Sequence, residues 1–194
     1  MIGRIRLWLK LIGFVVVLVW HFIWLMLASA LSRDKSKKLF YIRRSFCKAA
    51  LGVFNIKLEV IGNPILPGGL IISNHRSLLD PLVELSILDV YILSKAEVGS
   101  YPMIGKGAKE TGVFFVDRNS DQSRKSALLA IEQLLTTGLP VLIYPEGTTK
   151  GSDLTGEFRK GSFEIAFNNH IPVIPVMIEY PNSSYYWTDS TLME

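Results

Sequence analysis

Leu11 to Leu31 is an uninterrupted apolar run whose single ionisable side chain is His21. Away from water such a stretch has one regular structure open to it, the α-helix, which pairs its backbone N–H and C=O groups within the segment. At ~1.5 Å per residue it is also long enough to cross a ~30 Å hydrocarbon core. Composition agrees, because 49% of the 194 residues are hydrophobic and the mean hydropathy is +0.30, more apolar than an ordinary soluble domain. Arg4, Arg6 and Lys10 precede the run and Arg33, Lys35, Lys37 and Lys38 follow it, so the cations give no orientation. The run exceeds the roughly 7–15 apolar residues of a signal peptide, and a retained membrane anchor is expected.

Behind it, Leu39, Phe40, Ile42, Phe46, Ala49, Ala50, Val53 and Phe54 recur at helical spacing, and Lys35, Lys37, Lys38, Arg43, Arg44 and Lys48 carry the charge. This predicts a basic amphipathic helix. It either lies in the headgroup layer near anionic lipid or packs on its own domain with a solvated basic face. A formal charge of +4 and a pI near 9.2 suit a negatively charged membrane or ligand. Nucleic acid is set aside, because no aromatic RNA-binding motif, zinc-finger spacing or recognition helix accompanies the charge. Cys47 is the sole cysteine, so no disulfide within the chain and no cysteine-based zinc site is expected, in keeping with a reducing compartment.

The composition shifts near residue 55, which divides the chain into an anchor segment, 1–55, and a second domain, 56–194. From there short apolar runs alternate with helical patterns. Strands are expected over Ile56–Ile61, Leu70–Ser73, Val90–Leu93, Val113–Val116, Pro140–Tyr144 and Val173–Ile178. Helices are expected over Pro81–Leu88, Asp121–Leu135 (capped by Asp121 or Ser123) and Ser162–Asn169, with a loop or short helix around Pro102, Gly105 and Gly107. The expected fold is α/β, a mostly parallel central sheet flanked by helices and preceded by an N-terminal two-helix membrane-associating segment.

Four stretches at strand ends carry chemistry. Asn74-His75-Arg76-Ser77-Leu78-Leu79-Asp80 follows the Leu70–Ser73 strand, where side chains reach the crevice in which open α/β sheets bind ligands. A neutral His can accept a proton near pH 7, and a carboxylate on its second ring nitrogen would fix the tautomer. On a continuous helix the spacing from His75 to Asp80 would turn the two about 140° apart. They can meet only if His75 lies outside the helix, and Asp80-Pro81 is a good helix start, with Ser77 the other candidate cap. A satisfied histidine is the plainer alternative. Arg118 stands just past the next motif strand, where its guanidinium fork can hold a phosphate or carboxylate or pair with a neighbouring acid such as Asp117. Tyr144-Pro145-Glu146-Gly147-Thr148 leaves a strand through a turn in which Gly147 permits close backbone approach and frees amide donors. Ile171-Pro172-Val173-Ile174-Pro175-Val176 reads as an edge or bulged strand, or as the wall of an apolar tunnel.

Taken in order, these stretches resemble the glycerolipid acyltransferase family typified by 1-acylglycerol-3-phosphate acyltransferase. Its first block, Asn-His, four residues, then Asp, is matched by Asn74, His75 and Asp80; its second by Gly112, Phe115 and Arg118. Its third, Pro-Glu-Gly-Thr, is matched by Pro145 to Thr148, and its fourth by Ile171 to Val176. The resemblance spans residues 74–176 and extends to Lys95, Pro102 and Gly105 and to Phe158-Arg159-Lys160-Gly161.

It implies transfer of a fatty acyl group from a thioester, acyl-CoA or acyl carrier protein, to the free hydroxyl of a lysolipid, lysophosphatidic acid above all. His75 would be the general base and Asp80 would orient it. Arg118 would hold the acceptor phosphate, Lys95 and Lys160 would add charge, and Glu146 and Gly147 would help bind the acceptor. No further cofactor is implied, and this mechanism needs no metal. The phospholipid membrane would be the partner surface, with the catalytic domain on the cytoplasmic face, as at a bacterial inner membrane. Family members commonly continue some tens of residues past the fourth block, so a reduced C-terminal sheet edge or altered substrate access is expected here. Two alternatives stay open: another acceptor, such as a lyso-ornithine lipid or a lysophospholipid with a larger headgroup, and a non-catalytic lipid-binding protein of the same fold.

Overall fold

The computed structural model describes residues 2–31, 36–63, 68–149, 154–182 and 185. The described chain divides into two compact units that interleave in sequence: Met1–Pro64 with Leu82–Asp89 and Glu97–Val113, and Ile65–Pro81 with Val90–Ala96 and Phe114–Glu194.

The first unit is helical. The apolar run lies within α1 (Ile2–Leu31), and the basic amphipathic pattern forms α2 (Ser36–Val53). The two pack through Leu25, Ala28, Leu39 and Ile42. The ring of His21 is held between Val17 O (2.8 Å) and Ser45 Oγ (3.1 Å), which gives the one ionisable group of the apolar run polar partners on both sides. The opposite face of α1 leaves Trp8, Ile12, Val16, Trp20, Ile23 and Leu27 exposed. Helix α2 departs from expectation at Arg43. Instead of joining a solvated basic face, Arg43 is 6% exposed, donates to Thr111 O (2.6 Å) and Leu88 O (3.3 Å), and lies over the Phe40 ring. A guanidinium can be buried in this way because carbonyl oxygens take its donors. Residues Ile56–Ile61, expected as a strand, form none; Leu58, Val60 and Ile61 are exposed, and among the described residues no strand pairs with them. Alternation alone makes a strand only where a neighbouring backbone completes the ladder. Short helices α4 (Ala96–Gly99) and α5 (Ile104–Glu110) occupy the stretch around Pro102, Gly105 and Gly107.

The second unit holds the sheet. The chain supplies β1 (Leu70–Ser73), α3 (Asp80–Leu85), β2 (Tyr91–Lys95), β3 (Val113–Val116), α6 (Asp121–Thr136), β4 (Val141–Ile143), α7 (Gly161–Asn168) and β5 (Val173–Val176). Strand order is β3-β2-β4-β1-β5. β1 pairs in parallel with both β4 and β5, and β2 pairs in parallel with β4. The α/β class and its flanking helices are as expected. Leu70, Val141 and Ile143 pack against Ile131, Leu135 and Ala166 of α6 and α7. The cap of α6 is Ser120, whose hydroxyl accepts from the Ser123 N–H, rather than Asp121 or Ser123. β5 is an edge strand, which explains how it tolerates Pro175, a residue with no N–H for a second ladder.

The entry to β1 has no room for side chains. Gly68 and Gly69 have φ of 116° and 117°, and a Cβ would lie 2.6 Å from Gly138 O at Gly68 and 2.8 Å from Pro172 O at Gly69. These glycines let the starts of β4 and β5 close on β1, where Val141 N donates to Gly69 O and Leu70 N donates to Pro172 O. Gly69→Ala is expected to lower stability by about 1–3 kcal/mol or more. Gly52→Ala, on α2 with nothing within 4 Å of the new methyl, should instead stabilise by roughly 0.5–1 kcal/mol. Thermal melting of the two variants beside the parent chain checks both signs.

Candidate active site

β1 ends at Ser73 and β4 at Ile143, and because the two are parallel neighbours their C-terminal ends lie side by side. Each passes straight into a motif turn. In the first, His75 stays outside the helix and Asp80 opens α3, so the two meet: His75 Nδ1 lies 2.9 Å from Asp80 Oδ2. The same Oδ2 accepts from the N–H groups of Arg76 (2.7 Å) and Ser77 (2.9 Å), and Oδ1 accepts from the Tyr180 hydroxyl (2.7 Å). The carboxylate thus faces back over its own turn instead of forward as a helix cap, and at 0% exposure every bond it makes is to protein. With the carboxylate ionised, Nδ1 carries the proton and Nε2 keeps its lone pair. The imidazole is further fixed by the Tyr144 ring, stacked at 4.0 Å and 12°.

The second turn is tied to the first by Glu146. This buried carboxylate accepts from His75 N–H through Oε1 (2.9 Å) and from Gly156 N–H through Oε2 (2.6 Å). Both oxygens serve backbone amides, so Glu146 positions the histidine and the 154–160 segment. Gly147 has φ of 72°, and its N–H donates to Tyr144 O (3.0 Å), so that amide is not free for a ligand as the turn alone suggests. Its missing Cβ matters in another way: the Arg159 guanidinium lies on that face, with Nε 2.7 Å from where a Cβ would be. Arg159 N–H donates to Pro145 O (2.9 Å), which pins the cation beside the turn.

The structure therefore brings His75, Asp80, Glu146 and Gly147 together. Lys95 ends β2 on the same sheet edge as the β4 turn, by the parallel pairing of the two strands. Arg118 lies two residues past β3, the strand beside β2. Lys160 precedes α7 and lines an open groove of about 490 Å³ with Phe158, Phe163 and Phe167. Sequence reasoning passed over Tyr144, Arg159 and Tyr180 as site residues. Tyr144 and Arg159 stand beside motif residues, which is a usable signal; Tyr180 is 100 positions from Asp80 and has none. Glu146→Gln turns one acceptor oxygen into an NH₂ facing a backbone N–H. It is expected to cost about 1–3 kcal/mol of stability, measured by chemical denaturation.

Residues 55–179 match the family model described as Acyltransferase. The chain is 30% identical over 139 residues to a 1-acyl-sn-glycerol-3-phosphate acyltransferase of Helicobacter pylori, covering 70% of this chain and 58% of that protein. It is 27% identical over 139 residues to a lyso-ornithine lipid O-acyltransferase of Rhodobacter capsulatus, covering 69% of this chain and 50% of that protein. The crystal structure of the 1-acyl-sn-glycerophosphate (LPA) acyltransferase PlsC from Thermotoga maritima is similar in fold, with a TM-score of 0.71 at 23% identity, over 89% of this chain and 73% of that one. The chain spans about half the length of the curated relatives it matches. With the family model covering well over half of its residues, the chain belongs to the acyltransferase family.

Proposed function

We propose that the chain moves a fatty acyl group from a thioester, acyl-CoA or acyl carrier protein, to the free sn-2 hydroxyl of 1-acyl-glycerol-3-phosphate, giving phosphatidic acid. The observation that carries this reading is the 2.9 Å contact of His75 Nδ1 with Asp80 Oδ2 in a chain of this family. An imidazole that donates from Nδ1 offers Nε2 as base. Nε2 takes the proton of the acceptor hydroxyl while the oxygen attacks the thioester carbonyl. The carbonyl π pair moves onto oxygen, the tetrahedral intermediate collapses with cleavage of the C–S bond, and the departing thiolate recovers the proton from the imidazolium. Asp80 offsets the positive charge in between. A thioester is already activated, so positioning and oxyanion stabilisation supply most of the remaining acceleration. Cys47 is no rival nucleophile, because burial pushes its thiol up to about 12, against a smaller opposing pull from Arg43.

In this reading Arg118 takes the acceptor phosphate in its guanidinium fork, Lys95 and Lys160 add positive charge, and Glu146 and Gly147 hold the turn that faces the acceptor. The similarity to the Rhodobacter protein supports a second acceptor class, lyso-ornithine lipid, whose carboxylate suits the same fork. The exposed apolar face of α1 is the membrane contact, and an enzyme held there on the cytoplasmic face meets its lysolipid by lateral diffusion.

Acyl transfer is assayed from labelled acyl-CoA and from acyl carrier protein, onto lysophosphatidic acid and lyso-ornithine lipid, by the full chain in vesicles. His75→Ala is expected to lose about 10²–10⁴-fold in rate; a variant as fast as the parent would remove His75 from the mechanism. Placing charge on the exposed face of α1, as Ile12→Glu with Val16→Glu, should release the chain from vesicles in a flotation assay. Unchanged flotation would rule that face out as the lipid contact.

A further inference from the structure

Residues 178–182 and Tyr185 are tied to the turn that carries His75 and Asp80. Asn74 Nδ2 donates to Ile178 O (2.9 Å) and Ile178 N–H donates to Asn74 Oδ1 (2.8 Å). Ser77 Oγ donates to Tyr185 O (2.6 Å). These three bonds fasten backbone. The fourth is of another kind, because Tyr180 donates its phenol to Asp80 Oδ1, the carboxylate oxygen that His75 does not use.

We propose that Tyr180 is a positioning residue of the His75–Asp80 pair, whose phenol sets how tightly Asp80 holds the imidazolium. The inference rests on the reading of His75 as the base. A carboxylate divides its charge among the donors it accepts, so a phenol on Oδ1 leaves less of that charge for the imidazolium. The N–H groups of Arg76 and Ser77 keep Oδ2 in place. Loss of the phenol therefore strengthens the hold on the imidazolium without letting the carboxylate swing away. Among the described residues, Glu146 lies on the His75 N–H, Tyr144 is stacked on the ring, Arg76 and Arg159 are cations on the same two turns, and Glu84 is a buried acid on the helix that Asp80 opens. Tyr180 and Tyr185 also stack, with centroids 5.8 Å apart and planes 8° from parallel, and a phenylalanine at either position keeps that stack.

The test uses the full chain in lipid nanodiscs, with isotope-labelled histidine. The ring signals of His21, His75 and His170 are followed against pH and His75 is assigned with His75→Ala. Tyr180→Phe is expected to raise the titration midpoint of His75. Tyr185→Phe should leave it in place. A midpoint that stays put or falls in a Tyr180→Phe protein of native melting temperature overturns the inference, and leaves Tyr180 as a fastening only. 3-Fluorotyrosine at position 180, a better donor of the same shape, must move the midpoint down, which keeps the test decisive if the phenylalanine variant folds poorly. The midpoint is read without substrate, so its outcome stands apart from the proposed activity. Acyl transfer by wild type and His75→Ala in the same nanodiscs judges the base assignment separately.

Discussion

The buried carboxylate of Asp80 is the constraint from which the site follows. Removing a carboxylate from water costs several kcal/mol even after relaxation, unless donors replace the lost hydration. Here four do: the imidazole of His75, two backbone amides and a phenol. Bringing the amides of Arg76 and Ser77 onto one oxygen requires those residues to curl around it, which keeps them out of α3. His75 is thereby left ahead of the helix and facing the acid. The hydrogen bonds that make the acid tolerable in the interior are the same ones that aim the base.

The sheet supplies the second half of the site. β1 has β4 on one side and β5 on the other, so the turn after β1 is flanked at its C-terminal end by the turn after β4. That adjacency lets Glu146 reach His75 across 71 positions of sequence. At the other end of the same strands, Gly68 and Gly69 let three strands converge where any Cβ would collide with backbone oxygen. These strands, of only three or four residues, are thus held closely at both ends. That restraint matters for a general base, because proton transfer depends on heavy-atom separations near hydrogen-bond distance.

The α/β class, the parallel sheet and most element positions were legible in the sequence, because short apolar runs bounded by Gly, Pro and Asn report buried strands directly. The His75–Asp80 contact was legible too, from a spacing that brings the pair together only if a turn precedes the helix. Ile56–Ile61 was misread because its alternation describes a strand's faces but says nothing of a neighbour to pair with. Arg43 was misread because helical periodicity assigns a cation to a face and cannot reveal carbonyl oxygens, those of Leu88 and Thr111, brought in from distant parts of the chain.

The sequence by itself determined the elements, the order of the motif blocks and the chemistry available at the strand ends, since these are set by local pattern and residue type. Only the tertiary structure decided what each polar atom is bonded to: Glu146 to two backbone amides, Arg159 to the face of Gly147, and Tyr180 to the far oxygen of Asp80. Such partners arrive from other strands and loops, and they are chosen by the demand that every buried donor and acceptor be satisfied, a condition that exists only once the chain has closed around them.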